Sequence, residues 1–190
     1  YIAPSMGFGT HPHDNMEIIT IPLVGDLQHQ DSMGHGAVIC EGDIQVISAG
    51  TGIHHSERNP RDDKQVELLQ LWIFPNQKDV TPRYDQISIR DLKKENEFYQ
   101  ILSPKEDDNG SWIYQNAWMH LGDFTQPTQT SYTLPAKGNG VYVFVIDGSV
   151  TIGEQKLSKR DALGVWDTEN IAFNIEKNSR VLLIDVPLQF

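Results

Sequence analysis

The sequence predicts an all-β protein of two sandwich or barrel domains, and three features lead to that reading. Apolar residues gather in short runs rich in Val, Ile, Leu, Phe and Trp, each bounded by Gly, Pro, Asn or Asp, which is how short strands joined by turns read. Glycines stand where tight hairpins need them. A polar break divides the chain near its middle. In order, strands are expected over Glu17–Val24, 38–40, Asp43–Ser48 and 66–74, then over 141–146, Ser149–Ile152, 171–175 and 181–186. Val24-Gly25-Asp26, Asp147-Gly148-Ser149 and Ile152-Gly153-Glu154 put glycine at the positive-φ position of a hairpin turn. The one helix expected covers residues 91–100, with Asp91 as N-cap and acids and bases mixed behind it. It opens a linker over 91–110, whose second part is the most polar and turn-rich stretch of the chain. Domains 1–90 and 111–190 lie on either side. A strand–glycine–strand rhythm around Gly25 and again around Gly148 hints at a duplicated β fold.

Composition narrows the function. Over 190 residues, 15 Lys and Arg face 26 Asp and Glu, a net charge of −11 that repels phosphate backbones and argues against a nucleic-acid partner. No apolar run approaches the roughly 20 residues of a membrane helix, and the first residues do not read as a signal peptide. The single cysteine, Cys40, forms neither an internal disulfide nor a thiolate metal site. A protein of the cytoplasm is expected. The four tryptophans (72, 112, 118 and 166) form no stripe and read as core.

The histidines carry the chemistry. Residues two apart on a strand project to one side, so His11, His13 and Glu17 are expected on one face, with Asn15 between as a polar neighbour. Some forty residues on, His55 and Glu57 share a face while His54 and Ser56 point away. If these segments are neighbouring strands, three imidazoles and a carboxylate converge, a set suited to a divalent metal with open positions. Parity leaves Glu17 and Glu57 both open as the carboxylate. His29 and His54 lie outside this register, His29 either with a bond to a ligand or at a surface place; Met33 and His35 are expected in a loop at a strand end, His35 either at the rim of a pocket or in solvent. Phe8, Met16, Ile18, Ile44, Val46, Leu69 and Trp72 are apolar strand residues near the motifs, most of them read as core.

These residues carry a resemblance. His11-Pro12-His13 followed by Glu17 and Gly25, with Gly42 through His55 as a second stretch, resembles the two motifs of the cupin superfamily, with a slightly longer glycine spacing, two extra residues in the second and Ser48 in place of proline. More specifically, Gly7-Phe8-Gly9-Thr10-His11-Pro12-His13, Glu17-Ile18-Ile19-Thr20, His29-Gln30-Asp31-Ser32, Ser48-Ala49-Gly50-Thr51-Gly52-Ile53, His55-Ser56-Glu57, Leu71-Trp72-Ile73 and Thr81-Pro82-Arg83-Tyr84 resemble the pirin family. The match runs from Gly7 to Tyr84. The second half has His120 without a His-X-His and matches the family's second, metal-free cupin domain.

The resemblance implies a bicupin of two double-stranded β-helix domains. Pirins carry a longer segment ahead of the first motif than the six residues here, so the first barrel is expected either to lack its N-terminal strands or to close that edge differently. It implies one divalent metal ion, usually iron as Fe(II), with Zn, Mn, Ni, Co or Cu as substitutes, held by His11, His13, His55 and Glu57. That gives the carboxylate position to Glu57 and leaves Glu17 near the site without a bond to metal. The implied activity is that of a quercetin 2,3-dioxygenase: a flavonol bound through its 3-hydroxyl, Glu57 as base, O2 as co-substrate and carbon monoxide released. The competing implication is a regulatory pirin that acts through a protein partner.

Overall fold

The structure, a computed structural model, describes residues 1–189. It contains eighteen strands and no helix among the described residues. The chain divides into two compact units, one of residues 1–91 with 111–115, the other of 92–110 with 116 onward. The first unit holds β1 (Gly7–His13), β2 (Glu17–Val24), β3 (Asp26–Asp31), β4 (Gly36–Cys40), β5 (Asp43–Ser48), β6 (Ile53–Arg58), β7 (Glu67–Ile73) and β8 (Arg83–Ser88). The second is built from β9 (Phe98–Ser103), with β10 (Ser111–Trp112) belonging to the first, and then β11 (Trp118–Phe124), β12 (Thr128–Thr133) and β13 (Asn139–Asp147). It is completed by β14 (Ser149–Ile152), β15 (Gln155–Ser158), β16 (Ala162–Val165), β17 (Asn170–Ile175) and β18 (Ser179–Pro187).

Each unit is a pair of antiparallel sheets. In the first the orders are β1-β6-β3-β4 and β7-β2-β5-β8; in the second, β12-β17-β14-β15 faces a sheet running β9-β11-β18-β13-β16. Alternation sorts the side chains. Ile18, Ile47 and Ile53 are fully buried in a small cluster with Met16, Met33 and Tyr84, while Phe124, Tyr132, Val143, Phe173 and Leu183 belong to the larger core of the second unit.

Two glycines are fixed by the fold. Gly148 turns β13 into β14 at φ 81°, and a Cβ there would meet Ser179 Oγ at 2.2 Å. Gly50, at φ 48°, leads toward β6, and a Cβ would lie 2.0 Å from the Val80 carbonyl oxygen, so a side chain there would push this loop off its neighbour.

The expected helix at 91–100 is absent. Residues 91 and 92 form a turn, Asn96 takes φ 61°, and Phe98 starts β9. The segment has helix-forming residues but no apolar stripe, and a helix of that length is marginal without one. As a strand it pairs with β11, and Phe98 packs edge-on against Phe124 and Phe173. The Asn96 side chain accepts the Thr125 N–H at 2.8 Å, and Tyr99 donates to Asp123 at 2.8 Å. Residues 91–110, expected as a linker, thus supply a strand to the second unit.

Candidate metal centre

Antiparallel pairing of β1 with β6 sets His11 opposite His55 and His13 opposite Ile53. The three imidazoles meet, with ring centroids 4.9 Å apart for His11–His13, 4.4 Å for His11–His55 and 4.9 Å for His13–His55. One nitrogen from each lies within 4.8 Å of the others. His55 is 1% exposed, and neither of its ring nitrogens has a hydrogen-bond partner. An imidazole buried in this way loses about 1–3 kcal/mol of unmet hydrogen bonding unless something else binds it.

Charge favours the same conclusion. Burial, then the neighbouring His11, His13 and His29, push the His55 pKa down to about 3 against the opposing pull of Asp31. Burial and His11 also lower His13, with Asp14 opposing. Neutral imidazoles crowded together with lone pairs to spare are what a divalent cation requires. His11 is already oriented: its Nδ1 lies 2.8 Å from the Gly9 carbonyl oxygen, which can only accept, so the proton sits on Nδ1 and Nε2 is left as the ligand atom. The donor set fits a mononuclear divalent ion.

Glu57 shares the buried face with His55 and is 3% exposed. Its carboxylate is not among the atoms within 4.8 Å of one another; Gln70 Nε2 donates to its Oε1 at 2.8 Å. Glu17 lies elsewhere. Asn15 takes φ 44°, which ends β1 and restarts the alternation, so Glu17 faces away from the imidazoles and pairs with Ser48, whose hydroxyl donates to it at 2.7 Å. Burial raises its pKa to about 7 despite Ser48, Arg83 and the Tyr114 backbone. The placement of Glu17 on the face of His11 and His13 is thereby corrected. Asn15 accepts the Asp79 N–H at 2.8 Å and serves the turn.

Other expectations divide. Trp72 is 57% exposed with its ring 5.0 Å from His13, and Trp166 is also exposed, so neither is core. Phe8 is exposed too. Ile44 and Val46 alternate onto the face of Glu17 rather than that of the imidazoles. Sequence reasoning undervalued His29. It is fully buried, its ring 5.4 Å from that of His55 and stacked on Tyr84, with Nε2 3.1 Å from Asp31 Oδ2. His35 stacks on the same tyrosine and reaches the same oxygen. The available signal was the spacing of His29 and Asp31, two apart on one strand.

The chain is similar to known proteins over nearly its whole length. A family described as Pirin matches residues 1–73, and one described as Quercetinase C-terminal cupin domain matches residues 100–186. The chain is 37% identical over 186 residues to a quercetin 2,3-dioxygenase of Escherichia coli K12, covering 98% of this chain and 79% of that one. It is 29% identical over 184 residues to a pirin-like protein of Caulobacter vibrioides, covering 97% and 79%. The crystal structure of the bacterial pirin YhhW from Escherichia coli in complex with nickel(II) superposes with a TM-score of 0.89 at 36% identity, over 98% of this chain and 78% of that one.

Proposed function

The chain belongs to the pirin family, and from that footing we propose that it is a metal-dependent dioxygenase opening the central ring of a flavonol such as quercetin. The observation that carries the reading is the set of three imidazole nitrogens within 4.8 Å, one ring buried without any other partner. Relatives bearing the name quercetin 2,3-dioxygenase support the substrate class, and the nickel complex of a bacterial pirin supports a divalent ion.

His11, His13 and His55 would hold the ion, with Glu57 as the fourth ligand. Bound Fe(II) would supply Lewis acidity toward a flavonol 3-hydroxyl and redox chemistry toward O2. The protein's own part is binding, orientation and proton transfer. Glu57 is the buried carboxylate on the imidazole face, with Oε1 held by Gln70; it is the base that would take the hydroxyl proton. Trp72, exposed beside His13, offers an aromatic face to a planar substrate. Ile18, Ile47 and Ile53 form a buried apolar cluster with Met16 and Met33, and Ile53 lies opposite His13 on the paired strand, apolar packing that would limit water near the imidazoles.

The test is oxygen-dependent loss of quercetin absorbance, with carbon monoxide measured, by protein loaded with Fe(II) and assayed for metal content. Turnover that disappears in His55→Ala is the expected result. Stoichiometric metal with no turnover overturns the reading and favours the regulatory role.

A further inference from the structure

The imidazole centre accounts for one nitrogen of His55 and leaves the other without a role. A metal-bound histidine normally donates its second ring N–H to an acceptor that fixes the tautomer and strengthens the ligand. For His11 the Gly9 carbonyl serves. Neither ring nitrogen of His55 has such an acceptor bonded to it. Asp31 stands opposite it across β3 and β6, but that carboxylate is taken up: Oδ1 accepts the Met33 and His35 backbone N–H groups at 2.9 and 3.0 Å, and Oδ2 meets His29 Nε2 and His35 Nδ1 at 3.1 and 3.2 Å.

His29 is a second neighbour, its ring 5.4 Å from that of His55. In the neutral ring, the nitrogen facing a carboxylate oxygen must carry the proton, so the Asp31 contact places hydrogen on Nε2 and leaves Nδ1 as a bare acceptor. His29 Nδ1 is buried and without a partner, and so are both nitrogens of His55, with the two rings 5.4 Å apart. Tyr84 holds the plane of His29 by stacking, 27° from parallel, and its hydroxyl is anchored on Gln86 at 2.8 Å.

We propose that His29 is a positioning residue of the metal centre: Asp31 fixes its tautomer, and its Nδ1 accepts the N–H of the His55 nitrogen that does not bind metal. The proposal rests on the reading of His55 as a ligand. It makes Asp31 the origin of a chain, carboxylate to His29 to His55, that sets which His55 nitrogen is free to bind.

The metal-free protein gives the first test, through long-range proton–nitrogen NMR spectra that report histidine tautomers. His29 protonated on Nε2 is the expected result, and the Nδ1–H form overturns the proposal. Nickel(II) titration by calorimetry gives the second. His29→Phe, which fills the space without an acceptor, is expected to weaken binding roughly 10–100-fold, whereas His29→Asn, with an amide oxygen near the Nδ1 position, stays within about threefold. Asp31→Asn presents an N–H to His29 Nε2, so it should move the proton to Nδ1 in the spectra and weaken nickel binding as His29→Phe does. Unchanged affinity in His29→Phe, or equal losses in the Phe and Asn variants, overturns the proposal while leaving the metal centre standing. A wild-type protein that binds no nickel, or a His55→Ala variant that binds as tightly as wild type, overturns the metal reading itself.

Discussion

The sheet β1-β6-β3-β4 of the first unit has a counterpart of the same order in the second, β12-β17-β14-β15. In one, the β1–β6 pair sets His11 against His55; in the other, the β12–β17 pair sets Thr130 against Phe173 and Tyr132 against Ile171. Phe173, Ile171 and Tyr132 lie in a continuous apolar core, whereas the imidazoles line a cluster with unmet nitrogens. The one histidine of the second half, His120, sits on β11 in the other sheet, edge-on to Tyr132, with its pKa lowered to about 4 by burial. A common strand order therefore prescribes no metal. Side chains at a few inward positions of one strand pair decide whether the frame is a ligand cage or a packed core.

The sharpest way to break that comparison is to empty each site. Phe173→Ala, at a residue 1% exposed, is expected to cost about 3–5 kcal/mol in urea unfolding. His13→Ala in metal-free protein should cost less than about 1 kcal/mol. Equal losses would mean that the first unit is packed as a core and not built as a cage.

Metal should act on one unit. Nickel at about a thousand times its dissociation constant is expected to stabilise the protein by about 4 kcal/mol. Hydrogen-exchange protection should rise in Gly7–His13 and Ile53–Arg58 and stay level in Thr128–Thr133 and Asn170–Ile175. His55→Ala should abolish both effects. Protection gained equally in β12 and β17 would erase the distinction.

The opposite face of β2 offers a pH test that leaves the imidazoles untouched. Glu17 titrates near 7 in the fold against an ordinary value of 4.5, so between those values the folded state holds a proton that the unfolded state has lost. Its contribution is present below about pH 4.5 and is lost as pH rises through 7, a change of about 3 kcal/mol. Metal-free Glu17→Gln should flatten the decline in stability between pH 5 and 8. An unchanged slope would show that Glu17 is ionised at neutral pH.

The smallest effect belongs to Trp72. Being largely exposed, Trp72→Ala should shift stability by no more than about 0.5 kcal/mol, while raising the KM for quercetin under the dioxygenase reading proposed above. A large loss of stability would place it in the core after all.

The strand character, the β14–β15 hairpin at Gly153 and the shared face of His11 with His13 were legible in the sequence, because each depends on residues at most a few apart; the turns at Gly25 and Gly148, expected as hairpins, instead carry the chain from one sheet to the other. The two-residue period of a strand and the φ demanded by a turn are local properties. The juxtaposition of His11 with His55 was a condition that the sequence posed and the register of β1 on β6 met. Tertiary structure alone decided the rest. It turned Glu17 away through one left-handed Asn15, drew residues 98–103 into a sheet against local helix formers, left Trp72 in solvent and buried His29 beside His55. These outcomes depend on which distant strand pairs with which and on what covers each face, and short-range propensity is too weak to fix either.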